Sequence, residues 1–151
     1  MEAVMELKKM IDRFFLDMVI NELRLANFND FQHVTYNSLL YLDIIAYKRD
    51  CTVSYIADTL HVAKSAVTLK VKELEKLGLV EKVQSTEDKR VFYLHVNEAF
   101  LDVYKDYDRV LYDALDHLEE KYSEAELSLL YDMLDTINRR FEEEHERQKR
   151  K

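Results

Sequence analysis

Glycine and proline constrain this chain more than any other residue types, because they are almost absent. Its 151 positions hold no proline and one glycine, Gly78. A β-sandwich or a loop-rich enzyme needs turn chemistry every ten residues or so, and these two residues are its main source. Their absence favours long helices joined by short polar connections. The hydrophobic share of 48% is enough for a real core and too high for a disordered chain. The length suits one compact domain spanning residues 1–151, or a small domain with helical extensions.

The one glycine closes the most informative stretch, residues 63–82, AKSAVTLKVKELEKLGLVEK. Val67, Val71 and Leu74 fall at i, i+4 and i+7, one face of a 3.6-period helix. Gly78 sits where such a helix needs a residue that accepts the left-handed cap conformation. From Lys64 to Lys72 there are three lysines, two hydroxyls and no acid. A helix with one apolar and one cationic, hydroxyl-bearing face suits a DNA groove. Lys64, Ser65, Thr68, Leu69, Lys70 and Lys72 are therefore the candidate DNA contacts. Amides at the helix start, with Ser65, are placed to hold phosphate, and Thr68 and Leu69 to face bases. The competing reading is a solvated helix face.

The neighbouring segments favour DNA. Thr35 is placed to cap a helix over 36–48, apolar nearly all round, and Thr52 to cap a short helix in which Val53, Ile56, Ala57 and Leu60 face inward. Residues 61–63 leave only a tight turn before the cationic helix, which makes a helix-turn-helix. Two β-prone runs follow, 79–84 and 91–96, separated by the charged tip STEDKR. That order is a winged helix over 35–96. Lys89 and Arg90 are candidate backbone or minor-groove contacts at the wing, with Asp88 orienting Arg90.

Both chain ends read as helices: 2–26, a fifth helix at 98–121 capped by Asn97, and a sixth from Ser123, where Glu126 completes a capping-box pattern. The polar segment 27–32 is expected to break the first helix, with its two phenylalanines as anchors, and the last ten residues are expected to fray. Leu7, Ile11 and Phe14 at one end, and Leu127, Leu130, Leu134 and Ile137 at the other, form stripes wider than a winged helix of about sixty residues covers. A homodimer built from 1–34 and 97–151 is the expected use of that surface, since two-fold operators require a two-fold protein. The fold class expected is mainly α with a small β-hairpin wing: a winged helix-turn-helix with N- and C-terminal dimerisation helices.

The net charge of −8 argues against a general DNA coater, but its distribution is uneven. Residues 61–90 carry 7 basic and 5 acidic side chains, a net of +2, whereas 91–151 carry a net of −7. Screening limits distant charges to a reach of about 8–10 Å, so a local basic patch still binds phosphate. No apolar run approaches the ~20 residues of a membrane span, and the N-terminus lacks the order of a signal peptide. One cysteine, Cys51, forms no internal disulfide, so a reducing, cytoplasmic setting is expected. Cys51 as a redox sensor lacks an adjacent uninterrupted positive charge. Asp113, His117 and Glu120 share a helical face, but no tight histidine–cysteine cluster predicts a metal. No cofactor is expected.

Taken together, the motifs resemble the MarR (multiple antibiotic resistance regulator) family of winged-helix repressors along nearly the whole chain. SAVTLKVKELEKLGLVEK at 65–82 has the family's Ser-x-Val-Thr opening and Leu-Glu-Lys-x-Gly-Leu-Val ending, and STEDKRVFYLHV at 85–96 has its Asp-x-Arg signature as Asp88 and Arg90. Within the family the chain also resembles the fatty-acid-synthesis repressors of Firmicutes. The resemblance implies an obligate dimer on pseudo-palindromic operators, responsive to a ligand or signal. Five positions depart from the pattern. Leu69 and Lys70 exchange the usual basic and apolar types, Lys82 replaces a frequent arginine, and His95–Val96 stand where a Leu-Thr and a nearby glycine are usual.

A sequence-specific transcriptional regulator, acting as a repressor on double-stranded DNA and released by a small amphipathic effector, is the leading expectation. Tyr36, Tyr41, Tyr104 and Tyr107 are either walls of the effector pocket or ordinary core. The runner-up is a helical module whose winged helix binds a protein. An enzyme is a distant third, because no nucleophile set, phosphate loop or metal motif is present.

Overall fold

The computed structural model describes residues 1–28 and 34–149. Its elements in chain order are α1 (Glu2–Phe28), α2 (Tyr36–Tyr47), α3 (Val53–Leu60), α4 (Lys64–Lys76), β1 (Val80–Gln84), β2 (Phe92–Val96), α5 (Glu98–Lys121) and α6 (Glu124–Lys149). The chain is mainly helical with one antiparallel hairpin, the fold class read from its sequence. No described helix is long and apolar enough to cross a membrane.

Local chemistry explains the boundaries. Thr35 and Thr52 adopt extended backbone, and each side chain accepts a bond from the amide three residues on, Ser38 and Tyr55. Such caps satisfy donors that have no partner inside the helix. At the far end of α4, Gly78 takes φ +71°, and the Leu79 amide donates to the Leu74 carbonyl at 2.9 Å. An L-residue there is strained, which explains why the one glycine stands at this position. Asn97 opens α5 by accepting the Ala99 amide at 2.9 Å. Ser123 and Glu126 form a reciprocal capping box at α6: the Ser123 amide donates to the Glu126 carboxylate at 2.8 Å, and the Glu126 amide donates to Ser123 Oγ at 3.4 Å.

Two expectations are corrected. Asn27 and Phe28 continue α1, and Asn27 Nδ2 donates to the Leu23 carbonyl at 2.8 Å; the rest of the expected 27–32 break, including its second aromatic anchor, lies outside the described residues. The charged C-terminal run is helical through its described residues. It stays helical to Lys149, because arginine and glutamate alternate at the spacing where they meet, Arg140 with Glu143 at 2.9 Å and Arg147 with Glu144 at 2.8 Å.

The chain forms two compact units, Met1–Tyr107 and Asp108–Lys151. The core of the first gathers Leu42 and Ile45 of α2, Ile56 of α3, Val67, Val71 and Leu74 of α4, Leu94 of β2, and Phe100 and Val103 of α5. Phe100 is fully buried and meets Tyr104 edge-on at 5.6 Å. Burying one such side chain stabilises by about 1.5–3 kcal/mol. The hairpin pairs Val80 with Val96 through Gln84 with Phe92. Cys51 adds a single bridge to it, its carbonyl accepting the Leu94 amide at 2.8 Å, so the sheet is tied to the segment just before α3. The second unit comprises the remainder of α5 and α6.

Candidate nucleic-acid interface

Val67, Val71 and Leu74 are fully buried, as the spacing predicts, and they fix which face of α4 looks outward. Lys64, Ser65, Leu69 and Lys72 lie exposed on the opposite side. Leu69 stands 69% exposed, a large apolar side chain with nothing in the chain to cover it. Thr68 is half-buried, and its hydroxyl donates to the Lys64 carbonyl at 2.8 Å. Unlike α2 and α3, α4 begins at a residue without a capping side chain, Ala63. Its first amides therefore face outward beside Lys64 and Ser65, a ready anion site.

Lys70 departs from the expected free cationic face. Its Nζ bonds to Glu73 at 2.9 Å and its side chain is 12% exposed. At the helical offset of three, the acid neutralises it before any ligand arrives. Sequence spacing alone does not separate such a lysine from an outward one, since both lie between buried positions.

The wing is built by small polar contacts. Ser85, buried, accepts the Glu87 and Asp88 amides on Oγ at 3.2 and 3.3 Å, while its own amide donates to the Val91 carbonyl at 2.9 Å. Gln84 Nε2 donates to the Lys89 carbonyl at 2.6 Å. Asp88 accepts the Arg90 amide at 2.9 Å and its guanidinium through Nε at 3.2 Å and Nη2 at 3.3 Å. That fork holds the Asp88 carboxyl below its usual range. The roles of Ser85 and Gln84 are missing from the sequence reading, because hydroxyl-to-amide turns become visible only once the tip conformation is known.

Lys82 of β1 reaches back to Glu75 of α4 at 2.8 Å, both side chains mostly covered. This clamp ties the wing to the helix. Between them lies an open groove of about 590 Å³, lined by Thr52 and Ser54 at the start of α3, Thr68 of α4, Lys82, and Arg90 and Phe92 of the wing. Val53 and Val91 complete the lining, so hydroxyls and cations from three elements share an open, largely apolar groove.

The remaining candidates separate from this surface. Cys51 is fully buried, and burial pushes its thiol up to about 11, with Lys48 only partly opposing; a thiol held neutral in this way is a poor oxidant sensor. His117 Nδ1 donates to the Asp113 carbonyl at 2.7 Å. No group of three metal-ligating side chains occurs among the described residues. Of the candidate dimerisation residues, Leu7, Phe14, Leu130 and Leu134 are well exposed, Ile11 is at the edge of exposure, and Leu127 and Ile137 are half-buried.

Comparison with known proteins places this fold among known ones. The model of the MarR family matches residues 34–92, the span from α2 to the start of β2. A relative in Clostridioides difficile, the HTH-type transcriptional regulator BilQ, is 26% identical over 104 residues, covering 69% of this chain and 70% of that protein. Among solved structures, Streptococcus pneumoniae FabT in complex with DNA superposes with a TM-score of 0.72 at 23% identity, covering 93% of this chain and 98% of that one. A MarR-family regulator from Listeria monocytogenes, complexed with a 26mer DNA, gives a TM-score of 0.62 at 21% identity over 91% of this chain and 89% of its own. At these identities the structural matches establish a shared fold.

Proposed function

We propose that this chain, whose residues 34–92 match the MarR family of transcription regulators, acts as a homodimeric, cytoplasmic, winged-helix repressor that reads pseudo-palindromic operators with α4 and the wing. The observation that carries the reading is that Thr68 of α4 and the Asp88-held Arg90 of the wing line one groove, while Lys64, Ser65 and Lys72 stand exposed on the same helix. In it, Lys64, Ser65 and Lys72 contact phosphates, Thr68 and Leu69 face base edges, and Lys89 and Arg90 contact the backbone or minor groove beside them. Leu69 fits a thymine methyl, the apolar feature of the major groove. Lys70 serves through its pair with Glu73, by holding the helix surface rather than by touching DNA.

The apolar residues left bare on α1 and α6 support the dimer. Leu7, Ile11, Phe14, Leu127, Leu130, Leu134 and Ile137 are the side chains assigned to it. Exposed apolar stripes of this extent mark interfaces, and a two-fold axis sets the spacing of two recognition helices against an operator. A small amphipathic effector then releases DNA by favouring a different spacing of the two helices, which requires that it bind the two arrangements unequally.

Titration of the purified protein against a pseudo-palindromic duplex taken from its own genomic targets tests the reading. The expected result is a linear fall of log affinity with log salt concentration, because phosphate contacts release counterions. Binding that ignores salt, or no binding to any genomic fragment, overturns it in favour of a protein-binding winged helix.

A further inference from the structure

Within the first unit, α1, α2 and α5 enclose a cavity of about 210 Å³. Its walls are apolar along α1 and α2, with Phe15, Met18 and Leu39 among them, and Tyr36 and Tyr107 add amphipathic rings. The charged residues that line it are two carboxyls, Glu22 from α1 and Asp43 from α2. Tyr104 of α5 donates its hydroxyl to Asp43 at 2.6 Å, which orients that carboxylate. No lysine, arginine or histidine lines the cavity among the described residues. Glu22 and Asp43 are both half-buried, and two such acids facing each other without a cation among the described residues repel when both are ionised.

We propose that this cavity binds a small organic cation, an amine whose ammonium group sits between Glu22 and Asp43 and whose apolar body packs on Phe15, Met18 and Leu39. An anionic amphiphile is repelled by the same two carboxyls. The size, below the ~300–1,000 Å³ of drug-sized pockets, sets the ligand at a single ring or a short chain. The proposal rests on the effector reading above and gives that effector a chemical class.

Proton coupling follows from the geometry. Among the described residues, the titratable groups around Glu22 are Asp43 and Tyr36 on α2 and Tyr104 and Tyr107 on α5. Burial, then the neighbouring Asp43, push the Glu22 carboxyl up to about 7, so the empty pair holds a proton across much of the neutral range. An ammonium group stabilises the doubly ionised pair, so binding expels that proton and strengthens as pH rises.

The experiment is calorimetric titration of the full chain, without DNA, with benzylammonium, benzyl alcohol and benzoate, the same ring bearing positive, no and negative charge. Benzylammonium alone is expected to bind, about tenfold more tightly at pH 8 than at pH 6, as one ionisation centred near 7 requires. Glu22→Gln is expected to weaken it at least tenfold and to remove the pH dependence. Equal binding of benzyl alcohol, no heat with millimolar benzylammonium, or unchanged affinity in a folded Glu22→Gln variant overturns the proposal. Should that variant not fold, the charge preference and pH dependence of the unaltered chain decide. A protein that binds its operator but ignores benzylammonium sinks this inference alone. One that takes benzylammonium yet binds no DNA sinks the regulatory reading instead.

Discussion

Arg90 projects from the wing with 90% of its side chain exposed, yet two bonds from its guanidinium to Asp88 hold it in one arrangement. A long side chain ordered before docking loses less entropy on binding. Arg90→Ala is therefore expected to lower operator affinity by about 1–3 kcal/mol with the dimer intact. Unchanged affinity at physiological salt would remove the wing from the interface. Glu22 makes a residue-scale prediction of a different kind. Its carboxyl is raised from 4.5 to about 7, so between those values the folded chain holds a proton that the unfolded chain releases. Stability must then fall as pH rises through that window. Asp88 and Glu126 are shifted downward, so their contribution is present above the ordinary carboxyl range and lost only in stronger acid. The urea midpoint should drop between pH 5 and pH 7.5, and by less in Glu22→Gln; an equal drop in both proteins assigns the effect elsewhere.

At the scale of the element, capping decides which helix ends are closed and which stay open to a ligand. Thr35, Thr52, Asn97 and Ser123 each accept an amide at their helix start, whereas α4 begins at Ala63 without such a bond. Ser123→Ala is expected to cost about 1 kcal/mol of stability, read as a lower thermal midpoint, because the α6 box loses its reciprocal partner. No change in the midpoint would mean that α6 is held by other contacts. The wing depends on two element-to-element ties, Lys82 with Glu75 and Leu94 with Cys51, which set its angle to α4.

On the scale of the molecule, the acidic body and the basic groove act in opposite directions. The net charge of −8 disfavours loose association with arbitrary DNA, while the short screening distance lets the α4 surface act locally. Under the proposed dimeric reading, selectivity comes from needing two correctly spaced copies of the groove. Leu134, half exposed on α6, is one of the side chains assigned to bring them together. Leu134→Asp is expected to yield monomers in sedimentation and to abolish operator binding while each chain keeps its helical spectrum. A dimer that survives this change places the interface away from that stripe.

Sequence by itself determined the elements and their order, because the signals are local. A 3.6-residue period set the buried face of α4, one glycine set its end, and serine, threonine and asparagine set helix starts through bonds spanning two or three residues. The family resemblance rested on the same short-range patterns, at 65–82 and 85–96. Only the tertiary structure decided which side chains are free to act. Lys70 and Lys72 look alike in sequence, each with a glutamate three residues on, but Glu73 pairs with Lys70 whereas Glu75 pairs with Lys82 of the wing, and Lys72 stays exposed. Cys51 becomes a strand partner through a single bridge, which has no periodicity to read. Glu22 and Asp43 are 21 residues apart in the chain, and nothing local links them. Their shared cavity exists because α1, α2 and α5 pack around it, and their coupled charge is a property of that packing rather than of either residue.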